Sequence, residues 1–245
     1  MKRFHYFEIS STNDYAKEHL NDYAEIVITA DFQSFGRGRN NKIWEGKMGE
    51  NLYFSYGKRH SKPLKYKDAA VYQAIGALAT LNTLKDLSTN TEFILKYPND
   101  IYAKEQRKYR KISGILIEHS FIADKCVDTI IGIGININQT KFNPTIAFNA
   151  VSLKMLEIDA NIEEVCQSLI ENIQYFEKIT PTEILQEWKK QLDIIGKEIS
   201  IKAKSGKWEA IGIQDDCRLL VQNKITRETL IINNGDSIVY DLGKI

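Results

Sequence analysis

The sequence predicts an α+β protein: a mixed sheet covered by helices, followed by a small all-β barrel. Three observations carry that prediction. Strand-like apolar runs alternate with long amphipathic helical patterns as far as Leu192. After Leu192 the texture changes to short strands separated by turn residues, as in GKEISIKAKSGKWEAIGIQDDCRLLVQNKITRETLIINNGDSIVYDL. The composition is globular throughout, since 43% hydrophobic residues supply a core while 14 Gly and 4 Pro leave no room for a long disordered tract.

The elements follow in chain order. Glu25 to Ala30 and Leu52 to Tyr56 read as strands, rich in β-branched and aromatic side chains. From about Lys67 to Leu87, Ala69, Tyr72, Ile75, Ala79 and Leu81 to Leu84 recur near helical spacing, which predicts a half-buried helix. Thr91 to Lys96, Ile112 to Glu118 and the nearly all-apolar Thr129 to Ile137 are further strands. A second helix starts at Asn161, an N-cap with Glu164 three residues on, and carries Val165, Leu169, Ile173 and Phe176 on one face. A third is capped by Thr180, has Pro181 at its first position, and runs through Ile184, Leu185, Trp188 and Leu192. The boundary falls near Asp193 to Gly196 and separates a unit of residues 1–192 from one of residues 193–245. No Pro-rich or Ser-rich linker intervenes, so the two units are expected to touch.

Charge and cysteine content exclude several classes of function. Lys and Arg (33) balance Asp and Glu (32), and a net charge of +1 lacks the field of a dedicated nucleic-acid binder, so any phosphate must be met by a local cluster. Cys126, Cys166 and Cys217 are odd in number and far apart, which argues against a disulfide framework or a structural zinc site and for a reducing cytoplasm. No signal peptide and no membrane-spanning run is readable. The histidines at 5, 19, 60 and 119 have no metal-ligand spacing, and no nucleophile elbow accompanies them.

Three segments carry chemistry. In DFQSFGRGRNNKIW, Gly36 and Gly38 alternate with Arg37 and Arg39, and Lys42 and Trp44 follow. Glycine admits a ligand close to the backbone and arginine offers forked donors for phosphate or carboxylate oxygens, so the segment reads as a phosphate clamp or as a solvated basic turn. In LKYPNDIYAKEQRKYRKISGILIE, Pro98 fixes a bend, so Lys96, Asn99 and Asp100 present polar groups at a strand end. Lys104 to Arg110 read as the charged tip of a hairpin, while Asp100 and Lys111 bracket it and return to the same strand end, beside Gly114. In IIGIGININ, Gly132 and Gly134 interrupt a central-strand pattern, by reason of packing or of a ligand passing close, and Asn136 ends it with both a donor and an acceptor.

Together with ISSTND near the start, these segments resemble the biotin protein ligases. The pattern GRGRxxxxW, K(W/Y)PND, KxxGIL and GxGxN occurs in that order at Gly36 to Trp44, Lys96 to Asp100, Lys111 to Leu116 and Gly132 to Asn136. The resemblance implies a class II synthetase-like biotin/lipoate ligase fold with a C-terminal SH3-like barrel. It further implies biotin contacts from Ser11, Thr12, Asn13, Gln33, Gly36, Arg37, Lys111, Gly114 and Gly132. ATP contacts are implied from Arg39, Lys42, Trp44, Asn99, Lys111 and Asn136, with Trp44 packed on adenine and Mg²⁺ accompanying the phosphates. Catalytic roles are implied for Lys111, Asp100, Arg37 and Arg39. The partner implied is the biotin carboxyl carrier protein or a carboxylase biotinyl domain. Specific DNA binding is not expected, because the chain begins almost at the ISSTN segment and leaves no room for the N-terminal DNA-binding domain of some relatives. Three positions depart from the pattern: Lys42 stands in place of an arginine, Tyr97 in place of the commoner tryptophan, and Cys217 in a barrel turn that usually holds glycine.

The chemistry so implied is acyl-adenylate formation followed by transfer to an acceptor lysine, with cationic groups neutralising the phosphates. The alternatives are a lipoate or octanoate ligase sharing the adenylate logic, and a non-catalytic biotin or nucleotide sensor.

Overall fold

The computed structural model describes residues 1–202, 204–232 and 235–242. The chain opens with strand β1 (Lys2–Ile9), helix α1 (Thr12–His19) and strand β2 (Glu25–Gln33), and β1 pairs with β2 in parallel. Parallel neighbours need a crossover, and α1 provides it. Neither β1 nor α1 is legible in the sequence: KRFHYFEI mixes charge with aromatics because it is an edge strand, mostly exposed along its length.

Strand β3 (Asn51–Lys65) runs on well past the expected end at Tyr56. Its polar second half survives by pairing with β7 (Lys125–Asn136), and Pro63 sits where that pairing shifts register between Arg59 and Leu64, so its missing N–H breaks no ladder. The helix expected from Lys67 is divided into α2 (Tyr66–Ala69) and α3 (Val71–Leu87), and the Ala70 carbonyl at the division accepts from Gln73 N–H in a tight turn. The half-buried helix expected here is corrected: α3 buries side chains all round, from Val71 and Tyr72 to Leu81 and Leu84, because it lies between the sheet and further helices. Strands β4 (Phe93–Lys96), β5 (Asp100–Glu105) and β6 (Lys108–Ile122) complete a seven-stranded sheet in the order β1-β2-β3-β7-β6-β5-β4, with every pair after the first antiparallel.

A short helix α4 (Pro144–Ala147) precedes α5 (Ile162–Phe176) and α6 (Pro181–Gln191). The caps read from the sequence form: Asn161 accepts from Glu163 and Glu164 N–H, and Thr180 with Glu183 makes a capping box. Helices α3, α5 and α6 cover one face of the sheet with a single large core that includes Ile131, Ile133 and Ile135 of β7. The other face carries α1 over a small core of Ile26, Ile28 and Ile130. Alternation along β7 therefore sends Gly132, Gly134 and Asn136 to the thinly covered face.

The C-terminal sheet has the order β11-β10-β9-β8-β12, formed by β8 (Glu198–Ile201), β9 (Trp208–Ile213), β10 (Leu219–Asn223), β11 (Thr229–Ile232) and β12 (Ile238–Val239), all antiparallel. Its buried Trp208, Leu219 and Tyr240 join the main core through Tyr97, Trp188 and Leu192. Among the described residues no helix is long and apolar enough to cross a membrane.

Candidate functional site

The α1 face of the sheet opens into a cavity of about 490 Å³, within the range of small-molecule sites. Its walls come from five places: the start of α1, the loop between β2 and β3, the strand ends around Asp100, Lys111 and Asn136, the segment around α4 through Phe142, Ile146 and Phe148, and the C-terminal unit through Lys202, Ile238 and Val239. Every candidate site residue from the sequence lines it except Gly36. Gly36 lies behind the wall, where its carbonyl accepts from Trp44 N–H at 2.9 Å and a Cβ would sit 2.7 Å from the Trp44 carbonyl.

Glycines make the trough. On β7 and β6, Gly134 lies opposite Gly114, and Gly132 opposite Leu116 and, on β3, Ser55. A Cβ at Gly132 would overlap Asn13 Oδ1, and one at Gly134 would overlap the Trp44 indole, so the absent side chains leave the space that Asn13 and Trp44 enter. Gly114 likewise meets Trp44, whose ring faces the Lys111 ammonium at 5.4 Å. The indole Nε1 is buried without a hydrogen-bond partner.

At the α1 end the floor is a closed polar network. Gln33 Oε1 accepts from Thr12 N–H at 2.7 Å and from the Thr12 hydroxyl at 3.0 Å. The Ser55 hydroxyl donates to Asn13 Oδ1 at 2.6 Å and lies 2.8 Å from Thr12 Oγ1, while Asn13 Nδ2 donates to Glu118 Oε2 at 2.6 Å. Ser11, Thr12, Asn13 and Ser55 are all buried, a setting in which an unmade bond costs on the order of 1–3 kcal/mol. Arg37 closes this floor. It donates to both Asp14 oxygens at 2.6 and 2.5 Å and to Glu118 at 3.3 Å, a forked pairing that raises its affinity for its proton and lowers the Asp14 carboxyl below the usual range.

At the other end Lys111 Nζ meets Asp100 Oδ1 at 2.7 Å, each side chain about a quarter exposed (28% and 27%). The bracketing read from the sequence is explained by register: Asp100 pairs with Gly114 across β5 and β6, so the hairpin returns Lys111 to the strand end it left. Arg39 opens a short turn (Arg39–Asn41) in which Asn40 adopts φ +53, and its guanidinium donates to Asn99 Oδ1 at 3.3 Å. Lys42 lines the cavity from the same turn.

The structure spends three expected ligand groups on the protein itself. Arg37 engages Asp14 and Glu118; Asn99 bridges Arg39 and the Ile115 carbonyl; Asn136 donates to the Val151 carbonyl at 3.0 Å. Two residues that support the site, Ser55 and Glu118, escape sequence reasoning because they belong to no motif and arrive by strand register. Asp14, the last residue of ISSTND, and Gly134, the second glycine of GxG with the cavity-facing parity of Gly132, stand in quoted segments without an assigned role.

The comparisons agree with this geometry. Residues 6–136 match the model of the biotin/lipoate A/B protein ligase family. The chain is 29% identical over 234 residues to the bifunctional ligase/repressor BirA of Bacillus spizizenii, covering 88% of this chain and 68% of that protein. It is 26% identical over 204 residues to the BirA of Escherichia coli, covering 79% and 60%. Among solved structures, a biotin protein ligase from Aquifex aeolicus in complex with biotin and ATP superposes with a TM-score of 0.73 at 25% identity, covering 98% of this chain and 99% of that one. A ligase from Leishmania major in complex with biotinyl-5-AMP shares the fold, with a TM-score of 0.64 at 19% identity over 95% of this chain and 99% of that one. With more than half its length matched by the family model and a glycine-floored cavity at the motifs, the chain belongs to the biotin/lipoate A/B protein ligase family.

Proposed function

We propose that the chain is an ATP-dependent biotin protein ligase, which forms biotinyl-5'-AMP and transfers the biotinyl group to a lysine of the biotin carboxyl carrier protein. The observation that carries this reading is the joining of a buried polar floor and a cation-rich end in one cavity of about 490 Å³. In the first step the biotin carboxylate oxygen attacks the α-phosphorus of ATP and pyrophosphate leaves. In the second, the acceptor amine attacks the anhydride carbonyl and AMP leaves. Ser11, Thr12, Asn13 and Gln33 would meet the ureido ring, with Ser55 and Glu118 holding them in place. Lys111 would neutralise charge on the carboxylate and α-phosphate, and Arg39 and Lys42 charge on the outer phosphates. Asp100, paired to Lys111 at 2.7 Å, would orient the incoming ammonium and take its proton.

ATP phosphates normally carry Mg²⁺, and among the described residues no group of three His, Cys, Asp or Glu side chains could hold a metal. The ion therefore fits only as a companion of the nucleotide, where it would add positive charge at the phosphates. Residues 193–245 act in this reading as an SH3-like unit that completes the cavity wall of a 1–192 catalytic unit. The three free, buried cysteines suit a reducing cytoplasm.

The second reading, a lipoate or octanoate ligase, is disfavoured by the floor: Thr12, Asn13 and Ser55 are hydrogen-bonded donors and acceptors where an alkyl or dithiolane group would pair with none. The test is ATP–pyrophosphate exchange run in parallel with biotin, lipoate and octanoate. Exchange with biotin alone is expected, followed by labelling of a biotinyl domain. Exchange with lipoate and not biotin would reverse the assignment, and tight biotin binding without exchange would make the chain a sensor.

A further inference from the structure

Two of the three departures from the family pattern, Tyr97 and Cys217, meet in the fold although 120 positions separate them: the Tyr97 hydroxyl donates to the Cys217 carbonyl at 3.0 Å. Cys217 sits at φ +66, the left-handed region that glycine enters freely and a side chain does not. A second bond lies alongside. The Tyr97 backbone N–H donates to the Tyr240 hydroxyl at 2.9 Å, and both rings are buried. The Lys96 ammonium lies 5.1 Å from the Tyr102 ring and 5.9 Å from the Tyr240 ring, between the two sheets. A Cβ at Gly235 would overlap Pro98, so the short turn that leads into β12 touches the Tyr97–Pro98 turn directly. The segment thus gripped runs from Lys96 to Asp100, which are themselves paired across β4 and β5.

We propose that Tyr240 and Cys217 are positioning residues through which the C-terminal sheet holds the Tyr97–Pro98 turn and so sets the place of Asp100 against Lys111. The inference rests on the ligase reading above. It gives the C-terminal sheet a task in the transfer step: Asp100 stands three residues beyond Tyr97, and its carboxylate must meet both Lys111 and an arriving amine. Loss of one bond to the turn leaves Lys111 on its own strand but lets Asp100 drift. Adenylation, which depends on Lys111, is then largely kept, while transfer suffers. With Asp100 displaced, the acceptor amine must lose its proton to solvent, so the transfer rate continues to climb at pH values where the wild-type rate has levelled off.

The experiment uses the full chain with Tyr240→Phe, which keeps the ring and removes the hydroxyl, and Tyr97→Phe, which removes the donor to Cys217. Biotin-dependent pyrophosphate exchange reports the first step, and single-turnover transfer from preformed adenylate to a biotinyl domain, followed from pH 6 to 10, reports the second. Tyr240→Phe is expected to keep exchange within about twofold, to slow transfer about tenfold, and to move the transfer profile to higher pH. On an Asp100→Ala background the same change is expected to cost nothing more in transfer, because its route has already been removed. Equal losses in both steps, an unmoved pH profile, or full additivity with Asp100→Ala would overturn the proposal. Tyr97→Phe must repeat the pattern, so poor folding of one variant leaves the other to decide. Failure of the ligase reading is a separate outcome, visible as wild-type protein that gives no biotin-dependent exchange.

Discussion

The two ends of the cavity are built on opposite plans. At the α1 end, Thr12 and Asn13 of α1 and Ser55 of β3 form a buried hydrogen-bonded floor joined to Gln33, and Glu118 and Arg37, each about a third exposed, rim it. At the Lys111 end, the main pair is a quarter exposed, the Trp44 indole rests on glycines with its Nε1 unpartnered, and one wall is borrowed from the C-terminal sheet. A closed network is stiff and selective, because a ligand that fails to replace its bonds leaves buried groups unmet. Partly exposed ion pairs, Lys111 with Asp100 at one end and Arg37 with Asp14 and Glu118 on the rim of the other, can exchange partners at little cost. In the ligase reading proposed above, selection belongs to the hydrogen-bonded floor and reaction to the Lys111 end of the same trough.

Removing charge from the Lys111 end should give the largest effect. Lys111→Ala is expected to lower biotin-dependent pyrophosphate exchange by about 10²–10³-fold, as loss of a group that meets developing charge does, whereas Asp100→Ala should spare exchange and slow transfer. Equal loss in both steps for both variants would erase the division of roles. Next comes the trough. Gly132→Ala puts a methyl group into Asn13 Oδ1 on a central strand, where neither side can retreat, and biotin affinity measured by calorimetry should fall on the order of 100-fold. An unchanged affinity would mean that Asn13 takes no part in binding biotin.

A smaller effect is expected from Ser55→Ala, which leaves Asn13 Oδ1 and Thr12 Oγ1 without their shared hydroxyl. With the floor acting as the proposed ureido site, which would bind ground state and transition state alike, KM for biotin should rise about tenfold, corresponding to 1–2 kcal/mol, with kcat nearly constant. A fall in kcat at constant KM would move Ser55 from the binding floor to the reacting end.

The smallest effect lies outside the cavity lining. His60 and His119 both approach Thr129 Oγ1, at 2.8 and 2.9 Å, and burial holds both below the ordinary histidine range, His119 at about 4. A histidine depressed in the folded state binds its proton more readily when unfolded, so its contribution is complete above pH 6.5 and is lost as pH falls from 6.5 towards 4. Asp128 and Lys58 act on His60 in opposite directions, and the neighbouring Cys126 thiol is pushed up by its own burial. The urea midpoint should therefore drop between pH 7 and pH 5 while biotin affinity stays level, and His119→Gln should flatten that slope. A pH-independent midpoint in the wild type would refute the assignment.

Local chemistry accounts for what the sequence alone determined. The caps at Asn161 and Thr180, the turn at Pro98, the hairpin tip and the alternating glycines are rules of a few residues, and each is realised where its residues stand. The motif residues also converge on one cavity because they sit at strand ends. Tertiary structure decided what depends on distant partners. Edge strand β1 holds no pattern of its own and exists because β2 offers it a ladder. Helix α3 is buried all round because other helices cover its outer face. Ser55 reaches Asn13 because β3 and β7 set Ser55 opposite Gly132, and Arg37 settles on Asp14 and Glu118 because α1 and β6 bring two carboxylates to it. Tyr97 and Cys217, separate departures in the sequence, become one hydrogen bond when the C-terminal sheet docks. Spacing along the chain encodes which groups share a face over a few residues; only the packing of one element on another settles which of those groups already have a partner.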